Sequence, residues 1–121
     1  MFVAYEISKQ LITSLRPLVP VIQANDRELA DQLKRAAQSV LLNLAEGQKF
    51  EDGNRRKHYA IAQGSANEVK AALDAAEAWG WIETRGDERV LLDRLLALLW
   101  KLTHAPSLQR IAPDRSRRAT R

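Results

Sequence analysis

The chain has no cysteine among its 121 residues, which excludes a disulfide framework, a thiolate metal site and a cysteine nucleophile at once. Glycine and proline are few, at five and four, and with 45% hydrophobic and 28% charged residues the composition excludes a collagen-like chain and a wholly disordered one. No run approaches 18 apolar residues, and Met1 leads into an amphipathic stretch instead of a charged leader with an apolar core, so neither a spanning segment nor a signal peptide is expected. These absences predict a soluble, cytoplasmic protein of one domain. What is present is that globular balance of hydrophobic and charged residues, enough to bury a core at this length.

The formal net charge is +4, from 19 Lys+Arg against 15 Asp+Glu. It is unevenly placed. Residues 106–121 hold five arginines, Arg110, Arg115, Arg117, Arg118 and Arg121, and one acid, Asp114. Residues 1–105 are therefore balanced at 14 basic and 14 acidic side chains. The last 16 residues have too few apolar side chains to offset their chain entropy, and a mobile basic tail is expected there. A second basic cluster, Lys49, Arg55, Arg56, Lys57 and His58, is diluted by Glu51 and Asp52.

Between the punctuating Gly and Pro residues the apolar positions recur at helical spacing, and strand-like alternation is missing. The first predicted helix spans about Phe2 to Arg16, with a break or bend at Pro17 and Pro20. Asn25 and Glu28 form a capping-box pattern that starts a second helix ending at Gly47, a C-cap. A third begins after Asp52-Gly53 and continues to about Trp79, stopped by Gly80, and a fourth begins near Asp87 and stops at Pro106. Trp79 is expected in the core with Val69 and Ala76, and Trp81 away from it. Gly64 costs about 1 kcal/mol against Ala inside the third helix. It therefore predicts close packing along the small stripe of Ala60, Ala71, Ala75 and Ala78. Four helices with short connections read as an all-α, antiparallel up-down bundle over residues 1–105.

In the last helix eight apolar residues, among them Leu91, Leu98, Trp100 and Leu102, fill an arc of roughly 200°, where one core face needs little more than about 100°. The excess predicts a homo-oligomer interface at those four positions. The second helix carries another pattern. Gln32, Arg35, Ser39, Asn43 and Glu46 fall within about 80° of one another beside the apolar face. An Arg and a Glu bordering a core are costly unpaired, so Arg35 is expected to meet Glu68.

The string Gln32-x-x-Arg35-Ala36-Ala37-x-Ser39-Val40-x-x-Asn43-Leu44-Ala45-Glu46-Gly47 is followed by His58-Tyr59-x-Ile61-Ala62-x-Gly64-Ser65-x-x-Glu68. Together they resemble the four-helix-bundle proteins of the 23S rRNA intervening-sequence family over roughly Leu29 to Ile82. Leu41 stands where that family often has Pro, and Tyr59 where it often has Phe, adding a hydroxyl that needs a partner. The resemblance implies an antiparallel bundle assembling as a ring, often a homopentamer. It also implies kinship with the accessory variability proteins of diversity-generating retroelements, which bind nucleic acid and a reverse transcriptase. It carries over no catalytic residues, so Gln32, Arg35, Asn43, Glu46 and Glu68 are read as a structural polar network.

Catalysis is not expected. Neither His58 nor His104 has a Glu three residues before it, as a bundle metal site requires, and no Ser-x-x-Lys, Gly-x-Ser-x-Gly or phosphate-loop pattern occurs. No metal or cofactor is expected. The basic clusters point to sequence-independent binding of RNA or DNA through Lys49, Arg55, Arg56, Lys57, Arg115, Arg117, Arg118 and Arg121, with avidity from assembly. The alternative is a protein-binding scaffold or reverse-transcriptase accessory subunit without a direct nucleic-acid role. Membrane binding is not expected, because the tail lacks an apolar helix face.

Overall fold

The computed structural model describes residues 1–104, which form five α-helices and no strand. The expected tail at 106–121 lies outside the described residues. The helices are α1 (Val3–Leu15), α2 (Leu18–Asn25), α3 (Arg27–Gly47), α4 (Gly53–Ala78) and α5 (Asp87–His104).

There is one more helix than the periodicity predicts, and proline explains it. Pro17 has no N–H to continue α1, which closes instead through Arg16 N–H to Thr13 O at 3.3 Å. The helix restarts at Leu18, and Pro20 falls in the first turn of α2, where its missing donor costs nothing. The α2–α3 boundary also shifts. Asn25 is the last residue of α2, and its side-chain amide donates to Val21 O at 3.0 Å. Asp26 is the cap of α3, its carboxylate accepting from Leu29 N–H at 3.0 Å. Both residues cap well, and the run of α2 through Asn25 leaves only Asp26 extended.

The long helices bury one face each. Ile7, Leu11 and Leu15 of α1 meet Leu33, Val40 and Leu44 of α3, Val69 and Leu73 of α4, and Leu92, Leu95 and Leu99 of α5 in one core. The pairing of α3 with α4 is the most extensive, α1 lies against α3 and α5, α4 against α5, and α2 against α3. On the buried face of α4 stand Ala62, Ala66, Ala72 and Ala76, small side chains that let α3 approach.

That face is not the small stripe expected from Gly64. Gly64 is exposed, and a Cβ there would meet nothing within 4 Å; Ala60, Ala71 and Ala78 are exposed with it. The close approach occurs at Gly47 instead. A Cβ on Gly47 would lie 2.5 Å from Tyr59 Cε1, so this glycine is required by a packed ring and not as a left-handed cap. The left-handed glycine is Gly80, at φ +81°. Its N–H donates to Glu77 O at 2.9 Å and Trp81 N–H donates to Ala76 O at 3.0 Å, the pair of bonds that closes a Schellman motif.

That reversal exchanges the expected places of two tryptophans. Trp79 is 72% exposed, while Trp81 turns back and packs against the core. Their rings stack at 6.0 Å and 13°.

Candidate nucleic-acid interface

The C-terminal end of α3 and the first turns of α4 are joined by a chain of polar contacts. The Asn43 amide nitrogen donates to Ser39 O at 2.9 Å and to Ser39 Oγ at 3.1 Å. Its Oδ1 lies 2.9 Å from His58 Nδ1, which assigns the proton to Nδ1 because an amide oxygen only accepts. Ser65 Oγ donates to Ser39 Oγ at 2.7 Å, so α3 and α4 are tied at two levels. The His58 ring is covered by Phe50, parallel to within 4° at 5.8 Å.

Arg55 is partly engaged by the fold. Its guanidinium donates from Nε to Gly47 O at 3.2 Å and from Nη2 to Gln48 O at 3.4 Å, placing a cation on the carbonyl end of α3 where the helix dipole favours it. Beside it the Tyr59 ring is buried and faces Phe2 at 5.8 Å. Burial pushes the Tyr59 phenol above its ordinary range, and the nearby Arg55 charge opposes this. Among the described residues no hydrogen bond satisfies the Tyr59 hydroxyl, so the partner it was expected to need is not provided there.

The remaining cations of this end face solvent. Lys49 pairs with Glu46 at 3.1 Å across one helical turn, an exposed contact of the kind worth under about 1 kcal/mol. Arg56 and Lys57 are exposed. Thr103 Oγ lies 2.8 Å from Gln63 Oε1, so the last turn of α5 packs on the N-terminal half of α4, ~15 Å along that helix from Gly53. Near it Trp100 is 55% exposed and stacks on His104 at 4.3 Å and 10°. Arg115, Arg117, Arg118 and Arg121 lie outside the described residues.

The polar stripe of α3 divides in two. Asn43 bridges to α4, whereas Gln32 and Arg35 are exposed. Glu68 is exposed too, and no ion pair joins it to Arg35 among the described residues. The expected pairing fails because neither charge borders the core; each keeps its own hydration and needs no partner. In α5, Leu92, Leu95 and Leu99 are buried, and Leu91, Leu98 and Leu102 are half-buried at the edge of the core.

The sequence pattern missed the network at the other end of α4. Arg89 Nη2 lies 2.8 Å from both Asp74 Oδ1 and Glu77 Oε1. Its Nε donates to Thr84 Oγ at 2.7 Å, and that hydroxyl donates to Glu77 Oε1 at 2.8 Å. Lys70 adds a bond to Asp74 at 3.1 Å. The Lys70 bond, with those from Arg89, holds the Asp74 carboxyl below its ordinary range; the Thr84 and Arg89 bonds do the same for Glu77. Only the Lys70–Asp74 spacing of four was legible as a helical pair.

Comparison with protein-family models gives a match to the 23S rRNA-intervening sequence protein family over residues 3–99. The chain belongs to that family. The match reaches beyond the Leu29–Ile82 core of the sequence resemblance to take in α1, α2 and most of α5, and it stops before the arginine-rich segment. Asn43, His58 and Ser65, which join α3 to α4, all fall inside it. Comparisons with curated proteins and with solved structures gave no match. Among the described residues no three His, Asp or Glu side chains are grouped to hold a metal ion, and no helix is long and apolar enough to cross a membrane.

Proposed function

We propose that this protein is a non-catalytic, oligomeric four-helix bundle of the cytoplasm that binds RNA or DNA without sequence specificity through one basic end. The carrying observation is the contact between Thr103 and Gln63. The last turn of α5, before the five arginines of 106–121, packs on the N-terminal half of α4, the half whose first turns bear Arg55, Arg56 and Lys57 and which Lys49 precedes. In sequence, all of the net positive charge follows that last turn.

The packing order of the long helices, α1 to α3 to α4 to α5 and back to α1, supports the up-down bundle, with α2 as an outlier on α3. Leu91, Leu98 and Leu102, half-buried at one edge of the apolar arc of α5, and Trp100, exposed at the opposite edge, support further surfaces for like subunits, which we read as a ring of five. Assembly multiplies each basic end and raises avidity without new contacts.

Mobility shifts across a salt series test the reading with full-length protein and with a variant carrying Arg115→Ser, Arg117→Ser, Arg118→Ser and Arg121→Ser. Affinity should fall with a slope of about 0.9 per phosphate contacted on duplex DNA, and the variant should have a shallower slope. Equal slopes would remove the tail from the function. A scaffold for a protein such as a reverse transcriptase is the competing reading, favoured by the exposed Trp79 at the opposite end, since Trp is rich in binding hot spots. A partner retained after nuclease treatment that is lost in Trp79→Ala would support it.

A further inference from the structure

Where the chain breaks between α1 and α2, a groove of about 320 Å³ opens over α3. Its floor is Leu15, Leu33 and Ala37, with the half-buried Val19 as one wall. The groove follows from the sequence. Pro17 ends α1 and α2 restarts at Leu18 over α3, where Ala37 contributes only a methyl to the lining between them. Apolar space of this size, half open and with few polar groups, is the form that small-molecule sites take.

Its rim is charged in one sense only. Arg16 and Lys34 line it, and no carboxylate does. Both are exposed, and neither forms an ion pair among the described residues, unlike Lys9, Lys49 and Lys70, which each meet a carboxylate. The one other polar side chain of the lining is Gln38. The site is separate from the basic end, since Leu33 to Gln38 lie ~13–21 Å along α3 from Gly47.

We propose that this groove binds an unbranched alkyl carboxylate, with the chain along Leu15, Val19, Leu33 and Ala37 and the carboxylate between Arg16 and Lys34. The apolar floor sets the requirement for a hydrocarbon body, and the two cations set the sign of the head group. An anion reaching a guanidinium and an ammonium at the lip of a low-dielectric groove gains charge-assisted hydrogen bonds, which a cation of the same length loses.

Titration calorimetry with octanoate and decanoate below their micelle concentrations, with decanol and decyltrimethylammonium as controls, tests the proposal on the full chain. Decanoate should bind at one site per chain, about 16-fold more tightly than octanoate, from about fourfold per buried CH₂. Decyltrimethylammonium should bind at least tenfold more weakly than decanoate. The surface variant Arg16→Ala with Lys34→Ala should lose at least tenfold for decanoate while its affinity for decanol is unchanged; its helicity, followed by circular dichroism, should match the parent. Equal binding of decanoate and decyltrimethylammonium, or a double variant with undiminished affinity for decanoate, would overturn the proposal. So would the absence of any decanoate binding to the parent chain.

Discussion

The two ends of α4 use charge in opposite ways. At the α3–α4 end no carboxylate enters the tie between helices, which is built from Asn43, His58, Ser39 and Ser65 with Arg55 on the carbonyl end of α3, and Lys57 is exposed. At the α4–α5 end the tie is ionic, with Arg89 held between Asp74, Glu77 and Thr84. Residues 70–89 also carry five acids against three cations, whereas residues 49–58 carry four cations against two acids. A cation enclosed by carboxylates has little field left for a ligand; one whose neighbours are tied without carboxylates keeps it. The contrast is why the functional reading rests on one end and not on the whole-chain charge.

The sharpest way to break the comparison is to disturb the packing of the α3–α4 end. Gly47→Ala places a methyl against the buried Tyr59 ring, which must shift to admit it. It should destabilise by up to ~3 kcal/mol, read as a lower denaturant midpoint at unchanged slope. Next, Asn43→Ala removes the acceptor of His58 and the donor to Ser39 together, and should cost about 1–2 kcal/mol because the partners are half-buried. An Asn43→Ala variant as stable as the parent would mean that these bonds do not join α3 to α4. Gly64→Ala provides the opposite sign. With open space around its Cβ position, it should stabilise α4 by about 1 kcal/mol.

These positions also mark what could be read before the structure. The breaks at Pro17 and Gly80 were legible because each residue has one backbone property that ends a helix. The choice between Asn25 and Asp26 was not, since both side chains cap equally well and only the run of α2 decides. Trp79 and Trp81 were exchanged because a helical wheel loses its meaning after Ala78, where the positive φ of Gly80 turns the chain back. Arg35 and Glu68 were matched on the assumption that a polar stripe beside an apolar face is covered along its whole length. In fact α4 covers the part near Ser39 and Asn43 and leaves Gln32 and Arg35 in solvent. Arg89 was invisible because its partners, Asp74 and Glu77 on α4 and Thr84 in the α4–α5 connection, are brought together only by the fold.

The smallest effect should come from pH, and it should separate the two ends by sign. Asp74 and Glu77 are held below their unfolded values of 3.8 and 4.5, so their contribution is complete above about pH 4.5 and is lost as pH falls through the folded values. Tyr59 is displaced the other way. Its phenol is raised above 10.0 by burial, so its contribution is complete below pH 10 and is lost as pH rises, when the unfolded chain ionises first. Thermal midpoints of Arg89→Ala should therefore show a flatter acid limb with the alkaline limb unchanged. Those of Tyr59→Phe should show a flatter alkaline limb with the acid limb unchanged. A single substitution that flattened both limbs would mean that the ends of α4 are coupled through the helix, and the division into an end tied through carboxylates and one tied without them would fail.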